Sequence, residues 1–124
     1  GRSNVANTGE VESILASSGI NVDVGKSGEL NRMVNSAADM VEKRSYSSSL
    51  QDEVTATING MLSAGQRGAC AVVTEATLTE ASITADMVAA YLIYNYSLGN
   101  SNVCVLNVTT ADGVPCVLIV ALAD

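Results

Sequence analysis

The side chains of this 124-residue chain that can do chemistry are its carboxylates, three cysteines and four tyrosines; it has no histidine and no tryptophan. Histidine is the commonest general base and metal ligand near neutral pH. Its absence excludes Ser-His-Asp and Cys-His nucleophilic catalysis. With no Cys-x-x-Cys pair either, the usual zinc sites are excluded. Carboxylates remain for acid–base work. Asp52 and Glu53 are adjacent, but they fall in the first turn of an expected helix, where acids favour the macrodipole. Glu75 and Glu80 follow an expected strand, a place where functional loops often lie. Arg67 is the basic residue nearest to them in sequence. Glu75, Glu80 and Arg67 are therefore the polar candidates for a ligand site.

Two further sets carry a functional alternative. Tyr91 and Tyr94 lie three apart on a strongly apolar segment and share a helix face. The expectation is two core tyrosines whose hydroxyls find partners; the alternative is an aromatic lining for a pocket or a partner. Asn21, Asp23, Ser27 and Glu29 set oxygen side chains at odd positions around Gly25 and Gly28, as a calcium loop does. A calcium loop needs glycine at position six and glutamate at position twelve, where this chain has Lys26 and Arg32. The segment is read instead as a strand end entering a helix cap. No metal and no cofactor are expected to be needed for folding.

The bulk composition narrows the partners. The net charge is -7, with only six basic residues, scattered except for Lys43-Arg44. That argues against nucleic acid and against anionic lipid. No stretch reaches the roughly 18 apolar residues that cross a bilayer. Hydrophobic residues make up 48% of the chain and phenylalanine is absent, so a single domain with an aliphatic core is expected. Few charges and many Ser, Thr and Asn residues suit a secreted or membrane-tethered, extracytoplasmic domain. Gly1-Arg2-Ser3-Asn4 reads as a junction or a processed end, and residues 1–7 as a loose lead-in. Cys70, Cys104 and Cys116 each sit in an apolar run and are odd in number, which predicts buried free thiols.

The elements that must position these residues follow from periodicity. A short helix is expected over 9–18, capped from Asn7 or Thr8 and stopped at Gly19. Ile20, Val22 and Val24 alternate with polar residues as a strand. Ser27 caps a helix over 28–44, with Leu30, Met33, Val34, Ala37 and Val41 as its stripe. A third helix spans 50–64, with Ser48 and Gln51 in capping-box register. Residues 69–74 read as a strand, and 75–83 fit either its extension or the next helix. Thr84 caps a helix over 85–98 that is apolar on nearly every side. Such a helix is buried or covered by a partner.

Residues 103–109 and 114–123 flank Asp112-Gly113 as a hairpin. A two-residue turn there sets Cys116 opposite Thr109 and Cys104 opposite Ala121, with the two cysteines on opposite faces. The order α-β-α-α-β-α-β-β predicts an α+β fold, a small mainly antiparallel sheet against four helices. Apolar residues on both faces of the hairpin support the alternative, a three-layer α-β-α sandwich. The functional expectation is a non-catalytic extracytoplasmic domain that binds a protein or assembles into a homo-oligomer, rather than an enzyme. The alternative is a small histidine-free hydrolase or ligand-binding domain using carboxylate and Ser/Tyr groups.

Overall fold

The computed structural model describes residues 2–5, 9–25 and 27–124. Along the chain run β1 (Arg2–Asn4), α1 (Glu10–Ala16), β2 (Val22–Val24), α2 (Gly28–Lys43) and α3 (Leu50–Met61). They are followed by β3 (Gly68–Thr74), α4 (Glu75–Ala81), α5 (Ala85–Asn95), β4 (Ser101–Thr109) and β5 (Pro115–Ala123). The strand order is β1-β4-β5-β3, with β2 also paired to β4. Pairing is antiparallel throughout except between β2 and β4.

The fold is α+β, in its three-layer form, because β4 and β5 alternate between two apolar faces. Leu106, Leu118 and Val120 meet Leu30, Met33 and Val41 of α2 and Val54 and Ile58 of α3. Val103, Val105, Val117 and Ile119 meet Val11 and Leu15 of α1, Leu78 of α4, and Ala89 and Ile93 of α5. A strand covered on both sides has no polar face to show, which is why β5 reads as an unbroken apolar run.

Several expectations are corrected. Among the described residues five helices pack on the sheet rather than four: residues 75–81 are α4. Thr74 Oγ1 accepts from the Thr77 amide at 3.1 Å, and Ser82 ends the helix at φ 54°. Arg2–Asn4, read as part of a loose lead-in, pairs with Leu106–Val108 as β1. The caps proposed at Asn7 and Thr8, like Lys26, lie outside the described residues. The helix expected over 50–64 ends at Met61, and that expected over 85–98 ends at Asn95.

The hairpin register differs by one residue. Thr109 faces Pro115, Cys116 faces Val108 and Cys104 faces Val120. The Thr110 amide donates to the Val114 carbonyl at 3.0 Å, and Gly113 sits at φ 85°. The loop is thus three residues long, with glycine in the left-handed position, rather than a two-residue turn. The shift puts Cys70, Cys104 and Cys116 on one face, that of α2 and α3, all buried and none in a disulfide. Cys70 and Cys104 flank Val120 from opposite sides. Two strand spacings of about 4.8 Å separate them, beyond disulfide reach.

The edges of the sheet are managed by side chains. β3 is an apolar edge strand without a charge, the kind that invites pairing with another chain. Gln51 does not close a capping box with Ser48; its Oε1 accepts from the Val72 amide at 3.1 Å. Thr55 Oγ1 lies 3.3 Å from Cys70 Sγ, so α3 covers the edge. On the other side Arg2 fastens β1 to α2, its Nη2 donating to Asp39 and Glu42 at 2.5 Å.

The Arg2 guanidinium, chiefly by hydrogen bonding, holds both carboxyls below their ordinary values of 3.8 and 4.5. Depressed carboxyl values mean that this stabilisation is fully present above about pH 4.5. It is lost as pH falls through the lowered folded-state values. The stability difference between the wild type and Arg2→Met should therefore shrink as pH falls from about 6 to about 2. Urea midpoints across that range check it; a difference that stays constant would show that Arg2 acts by packing alone.

Candidate functional site

Among the described residues, the outward face of α5 departs furthest from an ordinary wet surface. Thr84 caps the helix, its Oγ1 accepting from the Met87 amide at 3.1 Å. Ala89, Ala90, Leu92 and Ile93 then point into the core. The residues left outside are Met87, Tyr91, Tyr94 and Asn95. Met87, Tyr91 and Tyr94 follow the i, i+4, i+7 spacing of one stripe. They are 39%, 67% and 63% exposed, and Tyr96 just beyond the helix is 57% exposed.

The one charged residue of α5, Asp86, is buried, so the exposed face carries no charge. The expectation of core tyrosines at 91 and 94 is overturned. α5 needs only its small and aliphatic residues to fill the space above the sheet, and the bulkier aromatics are left outside. Methionine and tyrosine enriched, with charge depleted, is the composition of a protein contact surface.

The stripe extends onto neighbouring elements. α1 packs along α5, with Glu10 accepting from Thr84 Oγ1 at 3.2 Å. Ile14 of α1 is 40% exposed. At the far end Ile20, Tyr94, Asn95, Ser97 and Gly99 line a shallow depression of about 530 Å³. Gly99 at φ 67° and Ser97 at φ 52° turn the chain sharply there.

The polar candidates fall elsewhere. Arg67 Nη1 donates to the Ser97 carbonyl at 2.8 Å and Nη2 to the Leu98 carbonyl at 3.4 Å. It closes the C-terminal end of α5, where a cation suits the macrodipole. Glu75 opens α4 and Glu80 lies near its end, both exposed. Neither is hydrogen-bonded or ion-paired to Arg67, whose guanidinium is taken by the Ser97 and Leu98 carbonyls.

Around the other loop, Asp23, Ser27 and Glu29 share a depression with Asn102 and Asp124. Ser27 and the Asp23 backbone are used structurally. Ser27 Oγ accepts from the Leu30 amide at 3.0 Å. Asn102 accepts from the Ser27 amide at 3.1 Å and donates to the Asp23 carbonyl at 3.0 Å. Asn21 is not among the residues lining that depression, and its backbone amide donates to Asn100 Oδ1 at 2.9 Å. Among the described residues no group of three or more Cys, Asp or Glu side chains is placed to hold a metal ion.

The enclosed space is small. β1 and β2 run toward each other along the outer edge of β4 and end beside Cys104 and Val105. Val5 and Gly25 there donate backbone hydrogen bonds to Val105 and Val103. A cavity of about 180 Å³ opens at that junction, lined by Val5, Val24, Asp86, Cys104 and Val105. That is below the roughly 300 Å³ at which small-molecule sites begin. Burial raises the Cys70 and Cys116 thiols above 9.0, so neither is an activated nucleophile.

Sequence reasoning missed two things. It missed the orientation of the α5 stripe, since an all-round apolar helix gives no moment by which to orient it. It also missed the Arg2 clamp, which joins residues far apart in sequence. Compared with known protein families, characterised proteins and solved structures, the chain matches none.

Proposed function

We propose that this chain is a non-catalytic, extracytoplasmic binding domain whose contact surface is the outward face of α5 with its neighbours on α1. The single observation that carries the reading is the exposure of Met87, Tyr91 and Tyr94 on a helix face without charge. Large aromatic side chains held on a rigid helix lose little entropy when a partner covers them, and they dominate binding energies where they do. The extracytoplasmic assignment rests on composition, few charges and many Ser, Thr and Asn residues. No helix among the described residues is long and apolar enough to cross a membrane.

The test is selection of peptide ligands from a random displayed library, followed by rebinding to a Tyr91→Ser/Tyr94→Ser variant. Both tyrosines are well exposed, so the variant should fold with an unchanged urea midpoint. The enriched ligands should lose at least about tenfold in affinity for it, since exposed-aromatic anchors are worth more than about 1.4 kcal/mol when covered. Ligands that bind the variant as tightly as the wild type would overturn the reading.

A further inference from the structure

Acids stand on both sides of the sheet, with Glu29, Asp39, Glu42, Asp52 and Glu53 on α2 and α3, but among the described residues the bases of the helices do not. α1, α4 and α5 carry Glu10, Glu12, Glu75, Glu80 and Asp86 and neither lysine nor arginine. The segments 17–21, 82–84 and 96–100 that flank them hold no base either. Arg67 stands at the end of this layer with its guanidinium turned onto the carbonyls after α5. The bases of the helices and their ends, Arg32, Lys43 and Arg44, belong to α2 and its C-terminus, and Arg2 is bound to α2. Among the described residues, the uncharged stripe of α5 therefore lies in a helical layer whose own charges are all acidic, with Arg67 at its end turned onto backbone carbonyls.

Resting on the reading of α5 as a contact face, we propose that its occupant is a basic amphipathic polypeptide segment. Its apolar side lies along Met87, Tyr91 and Tyr94, and its lysines or arginines flank that seam. Three features favour this chemistry together. The acidic layer attracts cations and raises their rate of encounter. The exposed faces of Tyr91, Tyr94 and Tyr96 accept ammonium and guanidinium groups by cation–π contact. A second copy docked through the same face about a two-fold axis would set acidic layer against acidic layer, which disfavours self-pairing. An anionic membrane is repelled for the same reason.

The probe is a synthetic peptide of about 15 residues with leucine on one helical face and lysine on the other, compared with a counterpart carrying glutamate for lysine. Each is titrated into the isotopically labelled chain and followed by amide shifts. The lysine peptide should shift residues 87–96 in a one-to-one complex. Its affinity should fall about tenfold between about 50 and 500 mM salt. Tyr91→Ser should weaken it at least about tenfold, and Glu75→Gln/Glu80→Gln severalfold with a shallower salt dependence.

Equal binding of the glutamate peptide at residues 87–96 would overturn the basic partner while leaving the contact face standing. Shifts centred away from α5, or dimerisation of the chain through α5 in sedimentation, would also overturn the proposal. If neither peptide moves α5, the basic partner is overturned, and if the library ligands also bind the tyrosine variant as tightly as the wild type, the contact-face reading itself falls.

Discussion

Leu118→Ala and Ile119→Ala should each lower the unfolding free energy by roughly 2–5 kcal/mol, although the two residues are adjacent and point in opposite directions. Leu118 is 1% exposed among the side chains of α2 and α3, and Ile119 is 0% exposed among those of α1, α4 and α5. In a two-layer sheet one neighbour of such a pair would face water, and its truncation would cost only a few tenths of a kcal/mol. Two large losses in successive residues of β5 are therefore the signature of a sheet covered on both faces. Urea unfolding of the two variants checks this, and a midpoint that barely moves for either would remove one of the helical layers from the core.

Thr110→Val should cost about 1–3 kcal/mol with almost no change in side-chain volume. Thr110 is buried, and its Oγ1 accepts from the Val114 amide at 2.9 Å while donating to Asp112 Oδ1 at 2.5 Å. Asp112 in turn accepts from the Tyr46 amide at 3.0 Å, and the Ala111 amide donates to the Arg44 carbonyl at 2.8 Å. The hairpin loop is thereby docked onto the segment between α2 and α3. A methyl in place of the hydroxyl leaves the Val114 amide without that acceptor and frees Asp112 from its nearest donor. Faster amide exchange at Tyr46 and Ala111 should accompany the loss of stability. A variant with wild-type exchange there would show that the docking does not depend on Thr110.

The legible part of the fold was the part with local causes. The stripe of Leu30, Met33, Val34, Ala37 and Val41 sufficed to place α2, and the side chain of Ser27 caps it as expected. Gly19 turns at φ 73° after α1, as a glycine stop should. The apolar runs on either side of Asp112-Gly113 identified the hairpin, but not its register. Whether Gly113 closes a two-residue or a three-residue loop depends on Thr110 pairing with Val114, and that choice moves Cys104 and Cys116 onto one face. α4 was hidden because Leu78 is its one buried residue, too little for a period. β1 was hidden because three exposed residues gain strand structure only from their pairing with β4 and the hold of Arg2 on α2.

The site was legible in composition and hidden in orientation. An α5 apolar on every side has to be buried or covered, and the sequence offers no way to choose which residues stay outside. Packing against β3, β4 and β5 makes that choice, and it leaves Met87, Tyr91 and Tyr94 uncovered. The isolated carboxylates Glu75 and Glu80 needed a convergent partner to become a site. Arg67, the nearest base in sequence, is held instead by the carbonyls at the end of α5.

The most direct measurement is an amide and methyl shift map of the chain with the tightest library-selected ligand bound. The expected result is a perturbed surface centred on Met87, Tyr91 and Tyr94 and reaching Ile14 and Ile20. A map centred on the cavity at Val24 and Cys104, or on the depression at Asp23, Glu29 and Asp124, would contradict it and move the function to that site.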